Sequence, residues 1–193
     1  MAVSALRCFI VALKELLHQK RAVITEKWLD KTLATYPGEA SKFFHREKNQ
    51  FANPVGQKLA GNIKALFDNL IDGLDPDLAC HHLQEIIQVR SVQDFTPSKA
   101  VVFVLLLKKA VREELGAEGK GADILAELED FDSQVDQLLL FAIDLLVKSR
   151  EQMYQLRVNE VKRRVATVLK RSGMFVDETE CEHTEDHNPS NAK

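Results

Sequence analysis

The sequence has few of the residues that interrupt helices or form covalent cross-links. Its 193 residues include five prolines, eight glycines and three cysteines. Cys8, Cys80 and Cys181 are far apart and odd in number, which argues against a disulfide framework and favours a reducing cytoplasm. The apolar run VVFVLLL at 101–107 is shorter than the roughly 18 residues that a membrane span needs. We therefore expect a cytoplasmic protein without a membrane segment.

The sequence has neither a large net charge nor a targeting signal. The net charge is -3, which gives no reason to expect nucleic acid as a partner. Arg7 and Lys14 interrupt the apolar residues near the start, so no signal-peptide pattern is present. No glycine-rich phosphate loop follows a strand, and no cysteine has a base at motif spacing. The sequence thus predicts a protein that is not an enzyme and has no cofactor.

Helical periodicity runs through the whole chain and predicts an all-α fold. Pro54, Pro76 and Pro97 each follow Asn, Asp or Thr, a pairing typical of helix starts. No segment of alternating polarity flanked by hairpin turns occurs. The predicted helices cover residues 4–19, 21–36, a short turn at 43–44, 55–72, 76–92, 97–115 and 124–171.

The order and polarity of these helices suggest how they pack. The 97–115 helix is apolar nearly all round its first turns, which is typical of a buried central helix. Six to seven helices with such a penultimate helix and a long last one suggest a globin-like bundle, although the pattern fits a general helical bundle equally well. We predict one domain over 1–172 and a disordered acidic tail over 173–193.

The last predicted helix is long for a chain of this size. Residues 124–171 would form a rod of roughly 70 Å, whereas a compact chain of this length has a radius of gyration of about 16 Å. We expect residues 124–147 to close the core and residues 149–171 to extend outward. The alternative is that the second part folds back onto the apolar stripe of the first helix, which is formed by Leu6, Phe9, Leu13 and Leu16.

The distal part of that helix carries a heptad-like row of apolar side chains. Their spacing is 4, 3, 4 and 3, as in the contact line of a helix pair. Basic residues surround the row, yet the acidic tail argues against nucleic acid as its partner. We predict association with another helix, in a homodimer or in an unknown signalling partner, through Tyr154, Val158, Val161, Val165 and Val168.

Three separated strings are similar to a known family: FANPVGQ at 51–57, VRSVQDFTPSKA at 89–100 and YQLRVNEVKRR at 154–164. Together they resemble the N-terminal domain of RsbT co-antagonist proteins of the RsbRD type. The resemblance implies a bacterial, stressosome-related sensory module with a haem-free, globin-like fold that pairs as a dimer. In that family a STAS output domain follows the last helix, whereas only about twenty polar residues follow it here. The resemblance therefore implies a signalling module without its usual output domain.

Two groups of residues raise ligand chemistry as alternatives. The apolar side of the 76–92 helix is set by Leu78, Leu83, Ile86 and Val89, and His82 leans inward beside it. A globin would place its haem ligand on this helix, so a haem-binding or small-ligand sensor is the rival function. The structural interpretation, which we favour, is a histidine at the core edge with a hydrogen-bonded ring. Cys181, His183 and His187 have metal-ligand chemistry, but they are only three and lie in the predicted tail. We expect no metal site there.

Overall fold

The computed structural model describes residues 13–46, 51–93, 95–116 and 122–173, and these residues form helices joined by short connections. No strand occurs within these ranges, so the all-α prediction is confirmed; the globin-like arrangement remains a prediction. Residues 13–19 are helical (α1). Six further helices follow: α2 Arg21–Leu33, α3 Gly38–Arg46, α4 Pro54–Asp72, α5 Pro76–Ser91, α6 Pro97–Leu115 and α7 Ala122–Arg171. Within the described ranges, no helix combines the length and apolarity that crossing a bilayer requires.

The starts of α4, α5 and α6 follow from local chemistry. Each begins at a proline, which lacks the N–H that would have no partner at a first helical position. The preceding side chain accepts hydrogen bonds from the free N–H groups of the first turn. These capping residues are Asn53, Asp75 and Thr96. The three starts are therefore those that the sequence predicted.

The core forms around α6, which contributes eight buried residues. Trp28 of α2 is fully buried against this helix, and its Nε1 donates to Phe103 O at 2.6 Å. That bond satisfies the one polar atom of the indole, so the large ring adds apolar burial without an unpaired donor. α6 is thus the central helix that its composition predicts.

Gly56 in α4 lies directly against its capping side chain. Asn53 Oδ1 accepts from Gly56 N at 2.8 Å, while Asn53 Nδ2 donates to Phe44 O at 3.3 Å, which ties α4 to α3. A Cβ at Gly56 would come within 2.4 Å of Asn53 Nδ2. The FANPVGQ string therefore specifies a helix start in which the third helical residue, Gly56, leaves room for the capping side chain.

We expect Gly56→Ala to displace the Asn53 side chain and to lower the free energy of unfolding by about 1–2 kcal/mol, the usual value of a helix cap. Chemical denaturation followed by circular dichroism measures this change. Gly61→Ala is the matched control, because Gly61 is exposed on the same helix and an added Cβ there meets no atom within 4 Å. Alanine favours helix over glycine, so the control should hold or raise stability. Equal effects at both positions would contradict the proposed clash.

The chain divides into two compact units, Met1–Arg150 and Glu151–Lys193, and α7 contains residues of both. In the first unit α7 buries one stripe in the core, formed by Leu128, Phe131, Val135, Leu138, Ala142 and Leu146. In the second unit, residues 151–171 are helical, and all except Met153 and Leu169 are exposed. The tail predicted over 173–193 lies outside the described residues from 174 onward.

Candidate functional site

The most unusual side chain in the described structure is Arg90, near the end of α5. Arginine is rarely fully buried, yet Arg90 is 0% exposed. No carboxylate forms an ion pair with it among the residues that the structure describes. A buried charge without a counter-ion is costly unless hydrogen bonds and polarisable groups replace its water. The surroundings of Arg90 supply both.

Three oxygen atoms accept hydrogen bonds from the guanidinium. Nε donates to Ala100 O at 2.9 Å, and Nη2 donates to Lys99 O at 2.8 Å and to Thr35 Oγ1 at 2.9 Å. The carbonyls belong to the first turn of α6, whereas Thr35 follows α2. Arg90 thereby ties the end of α5 to two other segments of the fold.

Aromatic rings form the rest of this environment, which we call the aromatic cage and define as Tyr36, Phe95 and Phe103. The Arg90 Cζ atom lies 5.0 Å from the centroid of the Tyr36 ring, 4.5 Å from that of Phe95 and 5.6 Å from that of Phe103. Ring faces carry negative potential and attract a cation at such distances. Tyr36 also contacts Phe95 edge-on, with ring centroids 5.1 Å apart. The cage thus replaces part of the solvation that Arg90 has lost.

Some polar atoms around the cage have no partner. Gln93 Oε1 is buried without a hydrogen-bond partner. Arg90 Nη1 and Tyr36 Oη make no hydrogen bond of good geometry, but each of these two side chains shifts the pKa of the other as a hydrogen-bond partner does. Burial raises the pKa of Tyr36 although the positive charge of Arg90 opposes the effect. The hydroxyl therefore keeps its proton at neutral pH and remains a hydrogen-bond donor. Burial likewise lowers the pKa of Arg90, with Tyr36 acting in the opposite direction, but an arginine remains charged in proteins.

A cavity of about 350 Å³ adjoins the cage. Tyr36 and Phe95 belong to its wall, together with Gln93, and the other described lining residues are Pro37, Ala40, Phe44 and Val92. Phe44 contacts Tyr36 edge-on at 5.1 Å, which extends the aromatic surface. Small-molecule sites are typically concave, mainly apolar and supplied with a few polar groups. The cavity has these features.

The cage segment also contacts α7 within the first compact unit. Arg150 Nη2 donates to Phe95 O at 2.8 Å, and Ser91 Oγ lies 2.9 Å from Ser149 Oγ. Both α7 residues are the last of that unit, and α7 continues in sequence into residues 151–171. Phe95 therefore contacts both the cage and α7, the latter through Arg150.

Reasoning from the sequence missed Arg90. The apolar side of α5 was predicted from Leu78, Leu83, Ile86 and Val89, but Leu78 is 53% exposed. The buried residues of α5 are instead Ala79, Leu83, Ile86, Ile87, Arg90 and Ser91. The available signal was the position of Arg90 four residues after Ile86 and seven after Leu83, which places a charge on the buried face. The string VRSVQDFTPSKA contains Arg90, Phe95, Lys99 and Ala100, so one motif encodes much of the cage.

His82, the candidate haem ligand, lies half-buried on α5 beside α4. Its Nδ1 is 2.9 Å from Asn62 Oδ1, a partner that the sequence did not identify. Burial lowers the pKa of His82, neighbouring His81 lowers it further, and Glu85 acts in the opposite direction. Asn62 Oδ1 can accept a hydrogen bond from the N–H at Nδ1 of His82, which suits a neutral ring that carries its proton on Nδ1. His82 does not line the cavity beside the cage.

The lowered pKa of His82 predicts a specific dependence of stability on pH. The pKa in the unfolded chain is about 6.5, so below that pH the unfolded state takes up a proton more readily than the folded state. Stability should fall as the pH drops through 6.5 towards the folded-state pKa. His82→Gln keeps a group that can bond Asn62 but does not titrate, so its melting temperature should change less between pH 7 and pH 5. An identical slope in both proteins would contradict this assignment.

The heptad row lies on the helix of the second unit. Its five side chains, Tyr154, Val158, Val161, Val165 and Val168, are between 46% and 63% exposed. The alternative prediction was that residues 149–171 fold back onto the apolar stripe of the first helix. Two members of that stripe, Leu6 and Phe9, lie outside the described residues, whereas Leu13 and Leu16 are described. Leu13 is buried, and its N–H donates to Glu127 in the first half of α7 at 2.9 Å.

The metal-ligand candidates Cys181, His183 and His187 lie outside the described residues, as does Cys8. Across residues 13–46, 51–93, 95–116 and 122–173, no three His, Cys, Asp or Glu side chains are grouped so as to hold a metal ion. Cys80 is a free, partly buried thiol, and burial, followed by Asp77 and Asp144, raises its pKa. A raised pKa disfavours the thiolate that a nucleophile requires.

The fold and the site together define an all-α domain built around a buried cation. Comparison with protein families identifies the family of this domain. The chain belongs to the family described as the RsbT co-antagonist protein rsbRD N-terminal domain, whose model matches residues 22–161. This confirms the resemblance that the three strings predicted. It is a family of regulatory domains, generally non-catalytic and related to stressosome signalling. Neither a curated protein nor a solved structure matches the chain.

Proposed function

We propose that this protein is a non-enzymatic bacterial signalling module that acts through protein–protein contacts made by residues 151–171. The observation that supports this proposal most directly is the heptad row, an apolar line of five exposed side chains on one helix. Membership of a regulatory family supports a signalling role. In this proposal the domain is haem-free and globin-like, and His82 has a structural role through Asn62.

The residues beside the heptad row indicate what kind of helix it contacts. In the heptad register set by the row, the flanking positions are 155, 157, 162, 164, 169 and 171. Four of these six are basic and none is acidic; the basic ones are Arg157, Lys162, Arg164 and Arg171. Charges at flanking positions choose the partner of a helix pair. We therefore infer a partner helix that carries Asp or Glu at its own flanking positions.

The same charges disfavour pairing of the row with itself. In a parallel pair Arg157 would face Lys162 of the second copy, and in an antiparallel pair arginines would face arginines. Glu160 is the acidic residue nearest to these groups along the helix, and it already pairs with Arg164 of its own chain. Like charges opposite each other cost energy at a helix interface. The heptad row is thus better suited to a different chain.

A homodimer remains part of the proposal, through another surface. Leu140, Ile143 and Val147 on the α7 segment of the first unit are 62%, 40% and 51% exposed, at spacings of 3 and 4. Exposed apolar groups at that spacing can pair with the same groups of a second copy. Sedimentation velocity should show a dimer that Leu140→Glu converts to monomer. A monomer at all concentrations, or a dimer unaffected by Leu140→Glu, excludes this interface.

The docking proposal is tested with two synthetic helical peptides of about four heptads, identical in their apolar positions. One carries Glu at all flanking positions and the other carries Lys. The full chain should bind the Glu peptide, and binding should weaken as salt is raised because the attraction is electrostatic. Equal binding of both peptides, or of neither, would refute an acidic helical partner.

A further inference from the structure

The helix over residues 151–171 carries positive charge at regular intervals. Arg157, Arg164 and Arg171 are exposed and seven residues apart, so they form a column beside the heptad row. Successive charges in this column lie about 10 Å apart along the helix axis. Lys162, also exposed, lies on the other flank of the row. In the part of the chain that the structure describes, no carboxylate pairs with Arg157, Lys162 or Arg171. We call these four residues the basic side of the helix.

Residues 174–193, which we call the acidic segment, carry the opposite charge and belong to the same compact unit. Lys193 is the single Lys or Arg of this segment, whereas its acidic residues are Asp177, Glu178, Glu180, Glu182, Glu185 and Asp186. We propose that the acidic segment binds the basic side of residues 151–171 in its own chain and so competes with the acidic partner helix. The identity of the excluded partner rests on the docking function proposed above, whereas the contact within the chain does not.

The end of α7 turns the chain out of the helix just before the acidic segment. Gly173 has a φ of 71°, and its N–H donates to Lys170 O at 3.3 Å. This is the bond of a glycine cap in the left-handed conformation, which ends a helix. The backbone therefore changes direction at Gly173 instead of continuing along the helix axis. The acidic segment starts at this turn, three residues after Arg171.

The acidic segment is long enough to reach the whole basic side. Arg164 and Arg157 lie about 14 Å and 24 Å before Gly173 along the helix axis. An extended chain from Gly173 spans about 13 Å to Asp177 and about 30 Å to Glu182. Acidic residues that are three apart in sequence are about 10 Å apart in such a chain, which matches the spacing of the basic column. A return of the chain along the helix would therefore place carboxylates beside successive arginines.

The covalent connection favours contact within one chain over contact between chains. A short linker holds two groups at an effective concentration in the millimolar range. That concentration exceeds the micromolar concentration of a second chain in a typical binding experiment. Single exposed ion pairs are weak, but several of them on one connected segment act together. An acidic helix from another protein would have to displace this segment before it could bind.

Carbodiimide cross-linking of the full chain tests the contact directly, because it joins a carboxylate to an amine that touches it. We expect Lys162 to be joined to a carboxylate of 177–186 at low salt, and the yield to fall as salt is raised. A mixture of isotope-labelled and unlabelled chains shows by mass spectrometry whether the link lies within one chain. Lys108 and Asp136, 2.6 Å apart, provide the internal standard. The proposal is overturned if the standard forms while Lys162 gives no link, or gives links between chains only.

Neutralising the acidic segment should raise the affinity for the Glu peptide. A site that is free for one-tenth of the time binds about tenfold more weakly than its intrinsic affinity, so we expect a gain of roughly tenfold. The tail variant changes four carboxylates to amides: Asp177→Asn, Glu178→Gln, Glu180→Gln and Glu182→Gln. The matched control does the same at four exposed positions of the first compact unit: Glu15→Gln, Glu26→Gln, Glu129→Gln and Asp144→Asn. Both variants change the net charge equally, so equal gains would assign the effect to net charge and overturn the proposal.

These measurements separate failure of the competition from failure of the docking function. Saturating Glu peptide should abolish the Lys162 link, and a link that survives saturation overturns the competition. If the wild type binds the Glu peptide and the tail variant binds it no better, the competition is refuted while docking stands. If neither protein binds the peptide, docking is refuted, and the Lys162 link still decides whether the acidic segment contacts the helix.

Discussion

Replacing Arg90 with alanine is expected to lower the free energy of unfolding by about 3–5 kcal/mol, the range found when a large buried side chain is removed. Three hydrogen bonds are lost, to Ala100 O, Lys99 O and Thr35 Oγ1. The space between the rings of the cage is emptied as well. For a chain of this length the loss corresponds to a melting temperature lower by roughly 10 °C. Thermal unfolding followed by circular dichroism measures it.

Arg90→Met distinguishes the charge from the volume. Methionine restores most of the apolar packing but none of the hydrogen bonds, and apolar replacement of a buried charge is often tolerated. We expect Arg90→Met to be more stable than Arg90→Ala by about 2 kcal/mol, the scale of one large cavity. Arg112→Ala is the control, because Arg112 is half-exposed and pairs with Asp132 near the surface. It should change stability by less than about 1 kcal/mol. Equal losses at positions 90 and 112 would contradict a structural role for the cage.

The helix starts could be predicted from the sequence, whereas the aromatic cage could not. Helix starts at Asn53, Asp75 and Thr96 were predictable because capping depends on residues next to each other in the chain. The cage depends on residues from three segments, and their meeting follows from tertiary packing that a single periodic pattern does not contain. Arg90 was missed because a charge within an apolar stripe is normally assigned to the surface. Its neighbours in the string VRSVQDFTPSKA carry the family resemblance, yet their shared contact with a guanidinium became visible only in three dimensions.

The face of α5 that enters the core was predicted wrongly for a related reason. Leu78 and Val89 fit an apolar stripe by type, but Leu78 is exposed near the start of the helix. Ala79 and Ile87 are buried in their place. The face of a helix that enters the core depends on which neighbours it meets, and α5 packs against both α4 and α6. A pattern of residue types cannot separate faces that differ by one position when both contain apolar side chains.

The heptad row differs from the cage because its members are local. Spacing of 4, 3, 4 and 3 places five side chains on one face of any continuous helix, whatever the rest of the chain does. Their number and their charged flanks are likewise readable from the sequence. The exposed fractions add that these side chains face solvent in the isolated chain. The identity of the partner remains a proposal, because it depends on a second chain.

The double substitution Val161→Glu with Val165→Glu is expected to weaken binding of the acidic peptide roughly 100-fold or more, since a few central residues carry most of the energy of an interface. Both side chains lie at the middle of the heptad row, 59% and 50% exposed. A carboxylate there would have to leave water on binding and would face the acidic flanks of the partner. Fluorescence anisotropy of the labelled peptide measures the affinity.

The matched control places the same two charges on another face of the same helix. Asn159→Glu with Ala166→Glu adds two carboxylates at exposed positions outside the row. Any general effect of reducing the positive charge of 151–171 appears in both doubles, so the difference between them isolates the row. Both should melt at the wild-type temperature, because exposed positions away from the core tolerate substitution within about 0.5 kcal/mol. If the control weakens binding as much as the row variant, net charge alone explains the attraction. Residues 151–171 would then act as a basic surface rather than as a helix that docks through its apolar face.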